Sequence, residues 1–452
     1  MVAVSLKKKK KKKKSERIKK KKKTINAFVL IVLLFGLISL FTSYPLSNGD
    51  EGFHMAKSYS VFSETSPKET SEKRLREIEL TAISQPKQIS IRNFYSEKID
   101  SVANDGIKFN VSTDQNLTLK IDVGHLVPAI GLLLGRLFYP SYGVMLLSAR
   151  LFNLIFFVGG MYLIFRRAKF DHLIFLMIFT VPFMQKIASP SYDIFAFLAV
   201  AAFGTNFLYL SQLKKVSDVR REDVVYTLMT IALILLTKLN YIFALPVLLG
   251  IPIVYKPILS ALKRCSRITR VLLTIVTSLL FFIVGLFVHR VYNIIDLIKV
   301  FFNNYFNVAT MGGRGTTLFS VVQDNLPEIV NICWIVCLVL VMMSTQNSEY
   351  KLPTALAGLI VYLLNWFGIF LGFYSSHPEH LPFDDLTGRY LHAYIIFLIP
   401  LMSWLGFKMN FRISPKARYY IAIFSTASVL ILYLITIVYR GFILGTTPSW
   451  KN

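Results

Sequence analysis

Cysteine and acidic charge are both scarce in this chain. Three cysteines occur in 452 residues. Cys265 lies in a basic stretch, and Cys333 and Cys337 fall within one apolar run. No pair sits in a polar segment outside the apolar runs, so neither a structural disulfide nor a thiolate metal site is expected. Asp and Glu number 25 against 51 Lys and Arg, and charged residues of both signs reach only 17%. With 54% hydrophobic residues and a mean hydropathy of +0.53, the composition argues against a soluble fold. Two further absences matter. No small-x-small cleavage site follows the first apolar stretch, Ile25 to Phe41, which therefore reads as a retained helix. No repeat suggests the inverted halves of a transporter.

What the chain has instead is apolar runs of roughly 15–22 residues between short basic clusters. That is the spacing of helices crossing a hydrocarbon layer about 30 Å thick. The runs predict an all-α polytopic membrane protein with about eleven transmembrane helices. They are 25–43, 141–165, 172–188, 191–211, 224–238, 241–255, 271–289, 326–344, 353–374, 389–406 and 419–438. The domain plan is a disordered poly-Lys tail over 1–24, a membrane domain over 25–438 and a short tail over 439–452.

The net charge of +26 does not mark a nucleic-acid surface. Half of it lies in residues 1–23, where fourteen Lys and Arg face one acid, Glu16. The rest recurs between apolar runs: Arg166, Arg167 and Lys169; Lys214, Lys215, Arg220 and Arg221; Lys256, Lys263, Arg264, Arg267 and Arg270; Lys408, Lys416 and Arg418. This is the positive-inside pattern, with the N-terminus inside the cytoplasmic membrane and the C-terminus outside. The Lys tail suits anionic lipid headgroups.

Three outside segments are long enough for chemistry. The largest, 44–140, contains a helix-prone stretch (69–83) and a strand-like one (107–121). It ends in His125 to Phe138, apolar but interrupted by Pro128 and Arg136, which suits a helix lying on the membrane or re-entering it. The second, 290–325, includes Gly312 to Gly315. The third, 375–388, includes His377, Glu379, His380, Asp384 and Asp385. Neither the glycines nor the acids and histidines match a spacing that defines a site.

The strongest local signal follows the first helix: Asp50, Glu51, His54 and Lys57. In a helix Asp50, His54 and Lys57 would share a face. A carboxylate beside an imidazole can act as general base or bind a metal. Positive charges near the same face form a second group: Arg150 inside the second run, Lys186, Lys238, and Arg389 opening the tenth. Charges within spans are costly and tend to face a polar cavity or a partner. Several converging cations would suit a phosphate or pyrophosphate. Snorkelling to the interface is the plainer reading of Lys186 and Lys238. Asp193 at the start of the fourth run fits both a helix-dipole contact and an ion pair.

These landmarks, in order, resemble a bacterial membrane family known as domain of unknown function 2142, which looks related to the GT-C glycosyltransferases. The pattern is Asp50, Glu51, His54 and Lys57; then Ala149, Arg150 and Asn153; Ser189 and Asp193; Lys238 and Tyr241; and Gly388, Arg389 and Tyr390. It covers about residues 50–405. The prolines that usually flank the acidic pair are replaced by Gly49 and Gly52, and a His-Pro-Pro-like segment is represented by His125-Leu-Val-Pro128. The resemblance implies a GT-C-like fold with a large first extracytoplasmic loop. It implies a sugar carried on a polyprenyl phosphate, moved to a cell-envelope glycan or lipid acceptor. Asp50 or Glu51 would be catalytic. His54, Lys57, Arg150, Lys186, Asp193, Lys238, Tyr241, Arg389 and Tyr390 would bind substrate and phosphate. Some GT-C enzymes use a divalent metal, Mg or Mn, and others none, so Asp50, Glu51 and His54 stand as candidate ligands. The alternatives are a polysaccharide polymerase, ligase or flippase of the envelope, and a non-enzymatic transporter. Lys, Ile and Phe usage suggests a low-GC Gram-positive source.

Overall fold

The computed structural model describes residues 25–43, 51–63, 91–109, 123–168, 172–181, 184–187, 189–237, 239–291, 293–305, 328–345, 350–376, 389–439 and 443–444. The poly-Lys tail, Asp50, 69–83, most of 107–121, Lys238, Gly312 to Gly315, His377 to Asp385, Gly388 and most of the C-terminal tail lie outside them.

The described residues are helical. They contain no strand, only isolated bridges pairing Ser63 with Ile107 and Lys98 with Ser141. The helices are α1 (Ile25–Thr42), α2 (Glu51–Ser60), α3 (Ile91–Ser96), α4 (Asp100–Ala103), α5 (Val123–Phe138), α6 (Tyr142–Arg167), α7 (His172–Thr180), α8 (Met184–Ile187), α9 (Asp193–Leu210) and α10 (Arg221–Leu235). A 3-10 segment, Leu239–Gly250, leads into α11 (Pro252–Arg264), α12 (Arg267–Val291), α13 (Ile294–Tyr305) and α14 (Glu328–Met343). The chain ends with α15 (Leu352–Ser376), α16 (Arg389–His392), α17 (Ile395–Lys408) and α18 (Pro415–Val438).

Five of these, α1, α6, α9, α15 and α18, are long and apolar enough to cross a membrane, and the bent pair formed by the 3-10 segment and α11 would make six. Helix α12 exposes Leu272, Val276, Leu279 and Ile283 along its length, a surface suited to lipid rather than water. This is an all-α membrane protein.

Two predicted helices are each represented by two separate helical segments. The run over 172–188 is divided into α7 and α8, with Pro182 between them in the sequence. The run over 241–255 is a 3-10 segment that ends at Gly250, followed by α11 at 64°. Ile251 is extended (φ −76°, ψ 132°) because the ring of Pro252 disfavours helical backbone in the residue before it. Residues 294–305, assigned to an outside loop, form α13.

The chain divides into two compact units, residues 1–202 with 415–451, and residues 203–414. In the first, α1 lies on α6: Phe28 meets Phe165 edge-on at 4.5 Å, and Gly36 lies against the Leu154 side chain. Helix α5 has one face covered, with His125, Pro128, Leu132 and Arg136 buried, and one face bare, with Ile130, Leu134 and Leu137 exposed. It packs along α6 through Gly131 and Gly135, where an added Cβ would come within 2.6 Å of the Ser148 carbonyl and 2.8 Å of the Ser148 hydroxyl. Two glycines four apart let the backbones approach, the usual device of helices in lipid. Helix α18 packs against α7.

Between α2, α5 and α6 lies a core of Met55, Tyr59, Phe62, Phe94, Val102, Leu132, Tyr142 and Met145. Asp105 is tied into it: Tyr59 and Ser63 each donate a 2.6 Å hydrogen bond to its carboxylate. Arg136 donates to the Asp105 carbonyl and lies near the Tyr59 and Phe62 rings. This buried knot joins the segment around residue 105 to α2 and α5.

In the second unit, the 3-10 segment runs along α15. Gly250 lies against Ala357 and Gly368 against Phe243, while Thr354 donates 2.7 Å to the Gly250 carbonyl. Helix α17 packs on both α14 and α15.

Candidate functional site

Helix α2 begins with the acidic landmark. Glu51 is fully buried, and Arg150, about two turns into α6, meets it with two parallel bonds, Nε to Oε1 at 2.7 Å and Nη2 to Oε2 at 2.6 Å. The remaining terminal nitrogen donates 3.2 Å bonds to the Leu40 and Ser43 carbonyls at the end of α1. One guanidinium therefore closes the C-terminal end of α1, whose carbonyls lack helical partners, and grips the first residue of α2. Arg150 was expected to bind phosphate and Glu51 to serve as base or metal ligand. In this geometry each holds the other, and both carboxylate oxygens accept from the guanidinium. Nearby, burial pushes the Tyr95 phenol above its ordinary value; the Arg150 charge opposes this and the Glu51 charge adds to it.

One turn on, His54 is 2% exposed. Its Nδ1 shares a 3.0 Å hydrogen bond with Nε2 of His125, which α5 supplies, and its Nε2 lies 3.3 Å from the Ser191 hydroxyl. Tyr192 covers both imidazoles, with ring centroids 4.7 Å from His54 and 5.1 Å from His125. The Ser189-Pro190-Ser191-Tyr192 turn is fixed from α6, where the Asn153 amide donates to the Ser189 and Ser191 carbonyls at 2.8 and 3.0 Å. The Ser191 hydroxyl also receives the Asp193 N–H at 3.2 Å, so it caps the start of α9. Asp193 and Lys186 are both buried in this unit.

Lys57 departs from the expected face. It is exposed and lies over the Phe53 ring at 5.9 Å, whereas His54 turns inward. Asp50, next to the anchored Glu51, lies outside the described residues. Among the described residues no three His, Cys, Asp or Glu gather to hold a metal. Glu51 and both nitrogens of His54 already have protein partners.

The remaining landmarks belong to the second unit and are tied to each other. Asn365, midway along α15, accepts from the Asn240 amide at 3.3 Å and donates to the Tyr390 carbonyl at 3.1 Å. Tyr394 donates to the Asn240 and Tyr241 carbonyls at 3.1 and 3.0 Å, and its ring stacks on Tyr241 at 5.9 Å. Asn240, Tyr241 and Tyr390 are thereby drawn together through Asn365 and Tyr394.

Sequence reasoning missed the partners: His125 and Ser191 for His54, Asn153 for the Ser189 turn, Asn365 for the second unit. Asn365 carried a signal, a lone amide in an apolar run. Replacing His125 by Phe keeps a ring and removes the nitrogen facing His54. The thermal midpoint in detergent should fall by the equivalent of about 1–3 kcal/mol, the cost of an unmatched buried polar group. An unchanged midpoint would show that the imidazole pair does not hold α5 to α2.

Comparison with protein-family models, curated proteins and solved structures finds no match.

Proposed function

We propose that this protein is a GT-C-like glycosyltransferase of about eleven spans, transferring a sugar from a polyprenyl phosphate to a cell-envelope acceptor at the outer face of the cytoplasmic membrane. The observation that carries the reading is the buried Glu51–Arg150 pair, which anchors the acidic landmark at the junction of α1 and α2. Glu51 is then a positioning residue, and the adjacent Asp50 takes the acceptor hydroxyl's proton. The acceptor oxygen attacks the anomeric carbon in line, the bond to the lipid phosphate breaks, and the configuration inverts. Cations must stabilise the departing phosphate, the main electrostatic need of such a step.

The test is sugar analysis of the surface glycan from a deletion strain carrying the wild-type gene, Asp50→Asn or Glu51→Gln. Losing a general base lowers rates by about 10²–10⁴. Asp50→Asn should accumulate in the membrane at normal level yet fail to restore one sugar that wild type restores. Glu51→Gln should fail through reduced protein. A glycan unchanged by deletion would remove the enzymatic reading.

A further inference from the structure

The stretch that follows the 3-10 segment has a character its neighbours lack. Between Asp223 and Asp296 there is no acidic residue, yet Lys256, Lys263, Arg264, Arg267 and Arg270 fall close together. Three of them lie on α11. At 100° per residue, Lys256, Ser260, Lys263 and Arg264 share one side of that helix, and Val254, Ile258, Leu259 and Leu262 share the other. In α11 only Pro252 is buried. Ile258 is 47% exposed, Leu259 44% and Leu262 38%, so the apolar side has no protein cover.

Direction separates α11 from a spanning helix. The extended Ile251 turns it by 64° from the 3-10 segment. That segment packs lengthwise on the spanning helix α15. At about 2.0 Å rise per residue, its 12 residues reach most of the way across a hydrocarbon layer of about 30 Å. A helix turned so far from such a segment runs nearer to the membrane plane than to its normal. Basic on one side, apolar and bare on the other, lying between two apolar segments, it has the form of an interfacial helix.

We propose that α11 is a lipid-binding surface for anionic headgroups. Ile258, Leu259 and Leu262 enter the boundary between headgroups and acyl chains, and Lys256, Lys263 and Arg264 contact the anionic phosphates. The occupant is a lipid leaflet and not a second protein. The five cations would be an obstacle in a protein interface without acids opposite them, but they complement an anionic surface.

The experiment uses the full chain, with its three cysteines changed to serine, in nanodiscs of phosphatidylcholine with or without phosphatidylglycerol. A fluorophore is attached at Ile258→Cys or at Ser260→Cys. In anionic discs a shallow lipid-borne quencher should quench residue 258 several-fold more than residue 260, while aqueous iodide should show the reverse order. Lys256→Gln, Lys263→Gln and Arg264→Gln together should abolish the difference between anionic and neutral discs. Equal iodide access at both positions would place α11 in water and overturn the proposal. Quenching of both by a mid-bilayer probe would make it a spanning helix. Shielding of residue 258 from both quenchers would mean that protein covers it.

Discussion

Replacing Arg150 by Leu is expected to be among the most damaging single changes in this protein. It leaves the Glu51 carboxylate fully buried without its two donors and frees the Leu40 and Ser43 carbonyls. Removing one partner of a buried pair costs about 3–5 kcal/mol, since the surviving charge has lost both water and its counter-charge. Arg150→Lys should recover little, because an ammonium cannot make the parallel pair and also reach the end of α1. Glu51→Leu combined with Arg150→Leu should regain much of the loss. Two apolar side chains leave no buried charge, although the α1 carbonyls still lack their donor. Thermal midpoints in detergent of wild type, Arg150→Leu, Glu51→Leu and the double variant give the coupling energy directly. Additive losses would mean that the two side chains do not depend on each other.

Gly358→Ala should be the second severe change, and its contrast with Gly159→Ala makes it informative. Gly358 in α15 faces the backbone of Phe397 in α17, and a Cβ there would fall inside contact distance of the Phe397 carbonyl oxygen. A backbone cannot rotate aside as a side chain can, so α15 and α17 would have to separate. Overpacking of this kind costs typically about 1–3 kcal/mol, and more when a whole interface shifts. Gly159 in α6 has nothing within 4 Å of its Cβ position. The same substitution there only improves helix propensity and should be neutral or stabilising by up to about 1 kcal/mol. Equal effects at both positions would remove the close approach as the explanation.

The long spans were legible because run length and apolarity suffice to define them. The expected 141–165 and 353–374 correspond to Tyr142–Arg167 and Leu352–Ser376. The break at Pro252 was also written in the sequence, but apolar content alone ran through it. The candidate site was legible as residues and not as partners. Glu51 and Arg150 are separated by 99 positions, and His54 and His125 by 71. Local periodicity cannot encode such pairings. A charge inside a span announces that it has a partner without saying which. Arg150 was therefore matched to a ligand when the protein itself supplied the acid. The face assigned to Asp50, His54 and Lys57 failed for a related reason: helical spacing groups side chains, but only packing decides which are turned inward.

The guanidinium that closes α1 also imposes an order of assembly. When ribosomal synthesis has delivered α1 and α2 to the bilayer, Glu51 has no counter-ion, because its cation is still 99 residues from being made. The pair with Arg150 cannot form until α6 has been made. Neutralisation of the buried carboxylate therefore comes late, after the whole stretch between residues 51 and 150 has been synthesised.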